Sequence, residues 1–282
     1  MLVGVAQVEP RLGEVQRNLE LCVTRMQEAA DAGAKLLVLP ECALTGYVFE
    51  SREEGLAHAL ETPGPEVEEL GAACAELDLH VVCGLLAREG DVLRNRAVLY
   101  GPDGHIGTYD KTHLPFLGVD RFVEGGGELA VYDTAIGRIG LEICYDLRFP
   151  EATRTLALRG ADIVAHPTNW PLAARSNAEF ITRTRALENR LYLLTSNRVG
   201  VERSAEFCGW SQIVDPFGQR LAEADATTET LLLAEIDVQK AREKDILPVP
   251  GEYEMHLFDD RRPDLYAPLV ERSGDIQPPQ GG

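Results

Sequence analysis

Three residues able to do covalent or proton-transfer chemistry close three separate strand-like runs. Glu41 follows Leu36-Leu37-Val38-Leu39-Pro40, just past the carboxyl end of a buried strand, the edge at which α/β sheets bind ligands. Lys111 closes the strand predicted over 107–110, ahead of Thr112-His113-Leu114-Pro115. Cys144 ends Ile139-Gly140-Leu141-Glu142-Ile143 and precedes Tyr145-Asp146-Leu147-Arg148-Phe149-Pro150, so its thiol stands on a strand-to-helix turn. Taken singly, the three read as a solvated loop acid, a surface charge and a small buried hydrophobe. Their shared placement at strand ends, in the order Glu, Lys, Cys, sets them apart from that background.

The elements that would position them alternate in type. An apolar, Val-rich run over 2–8 predicts a buried strand, and 14–32 predicts a helix with Leu19, Cys22, Val23, Met26, Ala29 and Ala30 at helical spacing, stopped by Gly33. Strand 35–39, helix 65–77 and strand 80–87 continue an α/β rhythm. Between 89 and 111, the turn signals Glu89-Gly90-Asp91 and Pro102-Asp103-Gly104 separate three antiparallel neighbours, which makes the sheet mixed. Residues 129–134 and 138–144 read as a hairpin around Ala135-Ile136-Gly137. Helix 150–159, strand 161–166, a long helix within 177–190 and strand 191–197 then repeat the rhythm. A last hairpin set is expected from 209–215 and 231–236, with Pro216-Phe217-Gly218 as its turn. Pro248, Pro250, Pro263 and Pro278 predict a mostly irregular tail from about Lys240, lying over another surface.

Composition bounds the class of partner. With 282 residues, 45% hydrophobic and 26% charged, the chain has the make-up of a globular protein with a large core, not of a disordered, collagenous or disulfide-stapled one. Its 27 basic and 46 acidic side chains give a net charge of −19, which repels phosphate backbones and anionic membranes, so neither nucleic acid nor membrane is expected as a partner. Six cysteines lie far apart in no metal-ligand pattern, which points to a reducing cytoplasm and to no metal. The amino terminus shows no basic leader, and no run approaches the roughly 18 apolar residues of a membrane span. One domain over 1–266 with a short tail over 267–282 is expected.

The chain resembles the nitrilase superfamily of carbon–nitrogen hydrolases. The likeness is carried by Leu-Val-Leu-Pro-Glu at 37–41, Tyr-Asp-Lys-Thr-His-Leu at 109–114 and Gly-Leu-Glu-Ile-Cys-Tyr-Asp-Leu-Arg-Phe-Pro-Glu at 140–151. It continues through His-Pro-Thr-Asn-Trp at 166–170, Arg-Ala-Leu-Glu-Asn at 185–189, Gly-Trp-Ser-Gln-Ile-Val-Asp-Pro-Phe-Gly at 209–218 and Asp-Arg-Arg-Pro-Asp-Leu-Tyr at 260–266. The resemblance implies a four-layer α-β-β-α sandwich with two mixed β-sheets. It also implies a reaction in which Cys144 is the nucleophile, because a thioester divides one hard amide hydrolysis into two easier steps. Glu41 would then shuttle the proton, and Lys111 with the backbone N–H of Tyr145 would hold the oxyanion. The family often carries a second glutamate after the lysine. Here Asp120 stands nearest that place, with Glu124 and Glu142 as alternatives.

The resemblance further implies pocket roles for Tyr145, Arg148, Asn169 and Trp170, no cofactor, and a homodimer or larger assembly formed through helices beside the site, with the tail crossing to the partner. Tyr-Asp after the cysteine favours an amidase that releases ammonia from a small linear amide. An N-carbamoyl amine or amino acid amidohydrolase is the alternative, and a non-catalytic scaffold of the same fold lies further off. A rival reading pairs Cys144 with His113 or His166 as a Cys-His dyad. Against it, His113 precedes Leu114-Pro115 at a loop entry and His166 ends a strand before Pro167, where packing or backbone bonding is the ordinary role.

Overall fold

The computed structural model describes residues 1–271 and divides them into two compact units, Met1–Arg242 and a second beginning at Glu243. The first half of the larger unit runs β1 (Leu2–Gln7), α1 (Val15–Asp31), β2 (Leu36–Val38), α2 (Arg52–His58), β3 (Leu60–Glu61), α3 (Pro65–Glu76), β4 (His80–Glu89), β5 (Val92–Gly101) and β6 (Gly104–Asp110). The second half runs β7 (Val131–Thr134), β8 (Gly137–Leu141), α4 (Pro150–Leu158), β9 (Ile163–Pro167), α5 (Thr182–Asn189), β10 (Tyr192–Ser196), β11 (Val201–Glu202), β12 (Ala205–Glu206), β13 (Gln212–Val214), β14 (Arg220–Glu223), β15 (Thr230–Glu235) and α6 (Val238–Arg242).

Two mixed sheets form the centre. The first has seven strands in the order β15-β1-β2-β4-β5-β6, with β3 also on β4; the second has six, in the order β14-β13-β10-β9-β8-β7. In each, a parallel core, β1/β2/β4 or β8/β9/β10, is flanked by antiparallel strands. Polar side chains stitch the sheets together: Ser196 Oγ donates to Ala6 O at 2.7 Å, and Gln7 Oε1 accepts from Ser211 N–H at 3.0 Å. Helices α1 and α3 cover the first sheet because Leu19, Cys22 and Met26 of one and Val67, Leu70 and Cys74 of the other recur on a single face, against Leu37, Leu39, Val81 and Cys83. Removing a side chain such as Leu19 from this layer would cost about 2–5 kcal/mol. Helices α4 and α5 bury Ala152, Leu156 and Ala186 on the second sheet. The result is the expected α-β-β-α order of layers.

Two readings of the sequence need correction. The turn at Pro216-Phe217-Gly218 joins β13 to β14, a strand the sequence reading passed over, while β15 leaves that sheet and pairs antiparallel with β1, Leu2 opposite Glu235. A short, half-exposed run such as Arg-Leu-Ala-Glu carries little apolar signal, which is why β14 was not legible. The tail is also more regular than its prolines suggest. Strands β16 (Asp245–Val249) and β17 (Tyr253–His256) form a hairpin turned at Gly251, and Pro248 is tolerated because a two-stranded ribbon has only edges. The predicted tail segment begins with a short 3-10 turn, Ala267–Val270, and its remainder from 272, including Pro278, lies outside the described residues.

Candidate active site

Glu41 lies three residues past the end of β2, and its backbone is clamped against β4, with Gly84 N–H donating to Pro40 O at 3.2 Å. Any side chain at Gly84 would collide with this segment, since a Cβ there would lie 2.6 Å from Glu41 Cα and 2.7 Å from Cys42 N. Cys42 adopts φ 49°, which turns the chain away from the sheet and leaves the Glu41 carboxylate fully buried.

Lys111 follows the last residue of β6, and its N–H donates to Asn95 O of β5 at 2.9 Å. Its Nζ donates to Glu41 Oε1 at 2.8 Å and to Asp120 Oδ2 at 2.5 Å, and all three side chains are shielded from solvent. Asp120 reaches the lysine from a 3-10 turn, Gly118–Arg121. Gly118, at φ 50°, lets that turn press on the Tyr47 ring, and the Tyr47 hydroxyl donates to Asp120 Oδ2 at 2.8 Å. Burial works against the charge of Lys111, but Asp120 and Glu41 outweigh it and hold the ammonium well above its ordinary pKa. Burial raises the pKa of Glu41, Lys111 pulls it back, and the Asp120 charge adds to the rise. The outcome is a fixed cation beside a carboxylate more basic than a free one.

Cys144, three residues past the end of β8, opens a 3-10 turn, Cys144–Arg148, and adopts φ 49°, a left-handed backbone that a residue with a Cβ seldom takes. Burial raises its thiol pKa and the Glu41 charge raises it further, whereas Lys111, the Thr168 hydroxyl and the Asn169 backbone N–H favour the thiolate. Glu41, Lys111 and Asp120 thus form one buried cluster, and the Cys144 thiol lies within its electrostatic reach. Glu124 is exposed and paired with Arg94, and Glu142 is buried on the Thr153 hydroxyl at 3.1 Å. Neither contacts Lys111.

The predicted pocket residues divide. Asn169 and Trp170 are buried, and the Asn169 amide and Trp170 Nε1 have no hydrogen-bond partner among the described residues. Tyr145 is 36% exposed and edge-on to Phe149; its N–H belongs to the opening of the 3-10 turn, where bonding begins only at Asp146 N–H to Ile143 O. Arg148 is exposed, and among the described residues its guanidinium makes no hydrogen bond or ion pair. Arg185 braces this turn instead, donating to Leu147 O at 3.0 Å and to Arg148 O at 3.3 Å. Neither histidine of the rival dyad bonds the thiol. His113 gives Nδ1 to Asp146 Oδ1 at 2.7 Å and stacks on Phe149, and His166 Nε2 lies 3.2 Å from the backbone O of Cys144. Burial pushes the His166 pKa down to about 4, which keeps it neutral.

Two more residues join the site without having been assigned a place in it from the sequence. Asp146 is buried and accepts from Tyr109 OH, Thr112 Oγ1, His113 N–H and Ile143 N–H at 2.7–3.0 Å, which ties the segment around Lys111 to the turn of Cys144. Burial opposes its ionisation, but these donors hold its carboxyl below the ordinary range. Asn95 links Glu41 to Asp120 through Nδ2, at 2.6 and 2.8 Å. The signal available for it was an asparagine, a poor strand former, inside an otherwise convincing strand. Among the described residues no group of three or more His, Cys, Asp or Glu could hold a metal ion, and no helix is long and apolar enough to cross a membrane.

The carbon–nitrogen hydrolase family model covers residues 2–245, and the chain belongs to that family, within the nitrilase superfamily. A nitrilase from Pyrococcus abyssi is 38% identical over 265 residues, covering 94% of this chain and 98% of that protein. An omega-amidase from Homo sapiens is 30% identical over 264 residues, covering 89% and 91%. Among solved structures, a mutant amidase from Nesterenkonia sp. AN1, with the acetamide moiety of fluoroacetamide added covalently at its active site cysteine, matches with a TM-score of 0.80 at 25% identity, covering 96% of this chain and 97% of that one.

Proposed function

We propose that this hydrolase is an amidase that converts a small linear amide to a carboxylate and ammonia through a thioester on Cys144. The observation that carries the reading is Lys111 Nζ, held 2.8 Å from Glu41 Oε1 beside the Cys144 thiol, in a buried site. In acylation, the thiol proton passes to Glu41 as Sγ bonds the amide carbon. In this scheme Lys111 and the Tyr145 N–H donate to the oxyanion, and losing one such donor typically costs about a hundredfold in rate. Collapse breaks the C–N bond, and Glu41 returns its proton to the departing nitrogen. Water then gives a proton to Glu41 while its oxygen bonds the thioester carbon; the C–S bond breaks, and the proton goes back to sulfur. The covalent adduct at the active site cysteine of the Nesterenkonia amidase mutant supports the choice of a cysteine as nucleophile.

The test is an ammonia-release screen over short aliphatic amides, ω-amides of dicarboxylates, carbamoyl compounds and nitriles, with mass detection of an acyl group on Cys144. Amide turnover with a trapped thioester is expected. Preferential release of carbon dioxide with ammonia from carbamoyl compounds would move the assignment to the amidohydrolase, and turnover of nitriles alone would overturn the amidase reading.

A further inference from the structure

Asn95 occupies the centre of the buried charges and is 1% exposed. Its Nδ2 donates to Glu41 Oε1 at 2.6 Å and to Asp120 Oδ1 at 2.8 Å, its Oδ1 faces the Cys42 thiol at 3.8 Å, and its backbone O accepts the Lys111 N–H. The amide has one workable orientation, because the reverse would set its oxygen against two carboxylates. Lys111 Nζ lies on the same Glu41 oxygen. Oε1 is thus engaged twice, while Oε2 is buried and has no hydrogen-bond partner among the described residues. A carboxylate gripped by one oxygen presents the other in a fixed direction, and proton transfer requires that fixed approach.

We propose that Asn95 is a positioning residue for the catalytic base: its amide pins Glu41 by Oε1, so that Oε2 is the atom that takes the thiol proton from Cys144 and, in the second half of the cycle, the proton of water. This rests on the amidase reading above and adds to it an atom-level division of the carboxylate. The titratable groups around Glu41 are Lys111, Asp120, Cys144, Cys42 and Tyr47. Burial raises the pKa of both Cys42 and Tyr47 well above the ordinary range, so neither changes charge where the enzyme would work. The Asn95 hydrogen bond favours the ionised form of Glu41.

The test replaces Asn95 with Leu, which is close in size and donates nothing, and with Ser, which keeps one short donor. In Asn95→Leu, kcat is expected to fall by about a hundredfold with KM little changed, as for a misplaced reacting group. The acid limb of kcat/KM, which reports the base of the free enzyme, moves to higher pH because the Glu41 carboxylate has lost a donor. Asn95→Ser gives a smaller displacement in the same direction. A purely structural role would lower the active fraction and leave the acid limb where it was, and an unmoved limb in a folded variant overturns the proposal. If Asn95→Leu does not fold, Asn95→Ser decides on the same limb. Failure of the amidase reading would show separately, as a native enzyme that releases ammonia from no amide; the pH dependence of Cys144 alkylation by iodoacetamide then carries the same comparison.

Discussion

Lys111 Nζ sits 2.5 Å from Asp120 Oδ2, and neither side chain has solvent-exposed surface. Asp120 reaches the lysine from the 3-10 turn that begins at Gly118, which packs on the Tyr47 ring. Asp120→Asn keeps the shape and removes the charge that holds the ammonium. Turnover should drop by about ten- to a hundredfold with the fold retained. Glu124→Gln, at an exposed ion pair, should be nearly silent. Steady-state kinetics with thermal melts of both variants check this, and the reverse ranking would reassign the second acid.

Glu41→Gln preserves size but cannot accept a proton, so both thioester formation and thioester hydrolysis should fail, with activity reduced by about 10²–10⁴-fold. Cys144→Ala should abolish turnover yet still bind amide, measurable by calorimetry. Full activity in Glu41→Gln, with loss on replacing His113 or His166, would transfer the chemistry to a Cys-His pair.

Gly84 separates the demands of site and fold. Because an added Cβ would press on Glu41 Cα and Cys42 N, Gly84→Ala should move the base and cost about a hundredfold in kcat. Gly127→Ala provides the control without crowding, since its φ lies outside the left-handed region, as that of Gly84 does, and nothing lies within 4 Å of its ideal Cβ. Equal activity in the two variants would show that Gly84 does not set the position of Glu41.

Glu142 should appear in the pH dependence of stability. Burial, assisted by the Asp146 charge, raises its pKa to about 8 from 4.5. Between those values the folded chain keeps a proton that the unfolded chain releases, so this group's contribution falls as pH rises through that window. Glu142→Gln, neutral throughout, should therefore gain thermal stability over the native protein as pH rises from 5 toward 8, with little difference at the acid end. Melting curves of the two proteins across that range test it, and a flat difference would show that Glu142 ionises with no cost.

Much of this architecture was legible because strongly periodic segments announce themselves. The stripe Leu19, Cys22, Met26 and Ala29 defined α1 to within a residue or two, and the turn signals at 89–91 and 102–104 defined the β4-β5-β6 meander. Motifs at strand ends singled out Glu41 and Lys111, which bond each other, and Cys144, whose thiol feels both charges. The supporting shell was not, because its members act by distance across the fold: Tyr47, Asn95 and Asp146 look like ordinary loop or strand residues until Asp120, Glu41 and His113 are placed beside them. Arg148, given a pocket role by the resemblance, is exposed, and it is Arg185 that braces the backbone of its turn. The exchange of β15 into the first sheet was invisible for the same reason as the shell, since a hairpin-like spacing says nothing about which sheet a strand will join.

The division of the site between the two sheets has a consequence for how the enzyme comes to life. Glu41, Asn95, Lys111 and Asp120 lie on or beside the first sheet, whereas Cys144, Thr168 and Asn169 lie on the second. A chain in which the two sheets had formed but not packed would hold the Glu41 carboxylate apart from the Cys144 thiol, so on the proposed mechanism amide turnover reports the packing of the two layers and not the formation of either sheet alone.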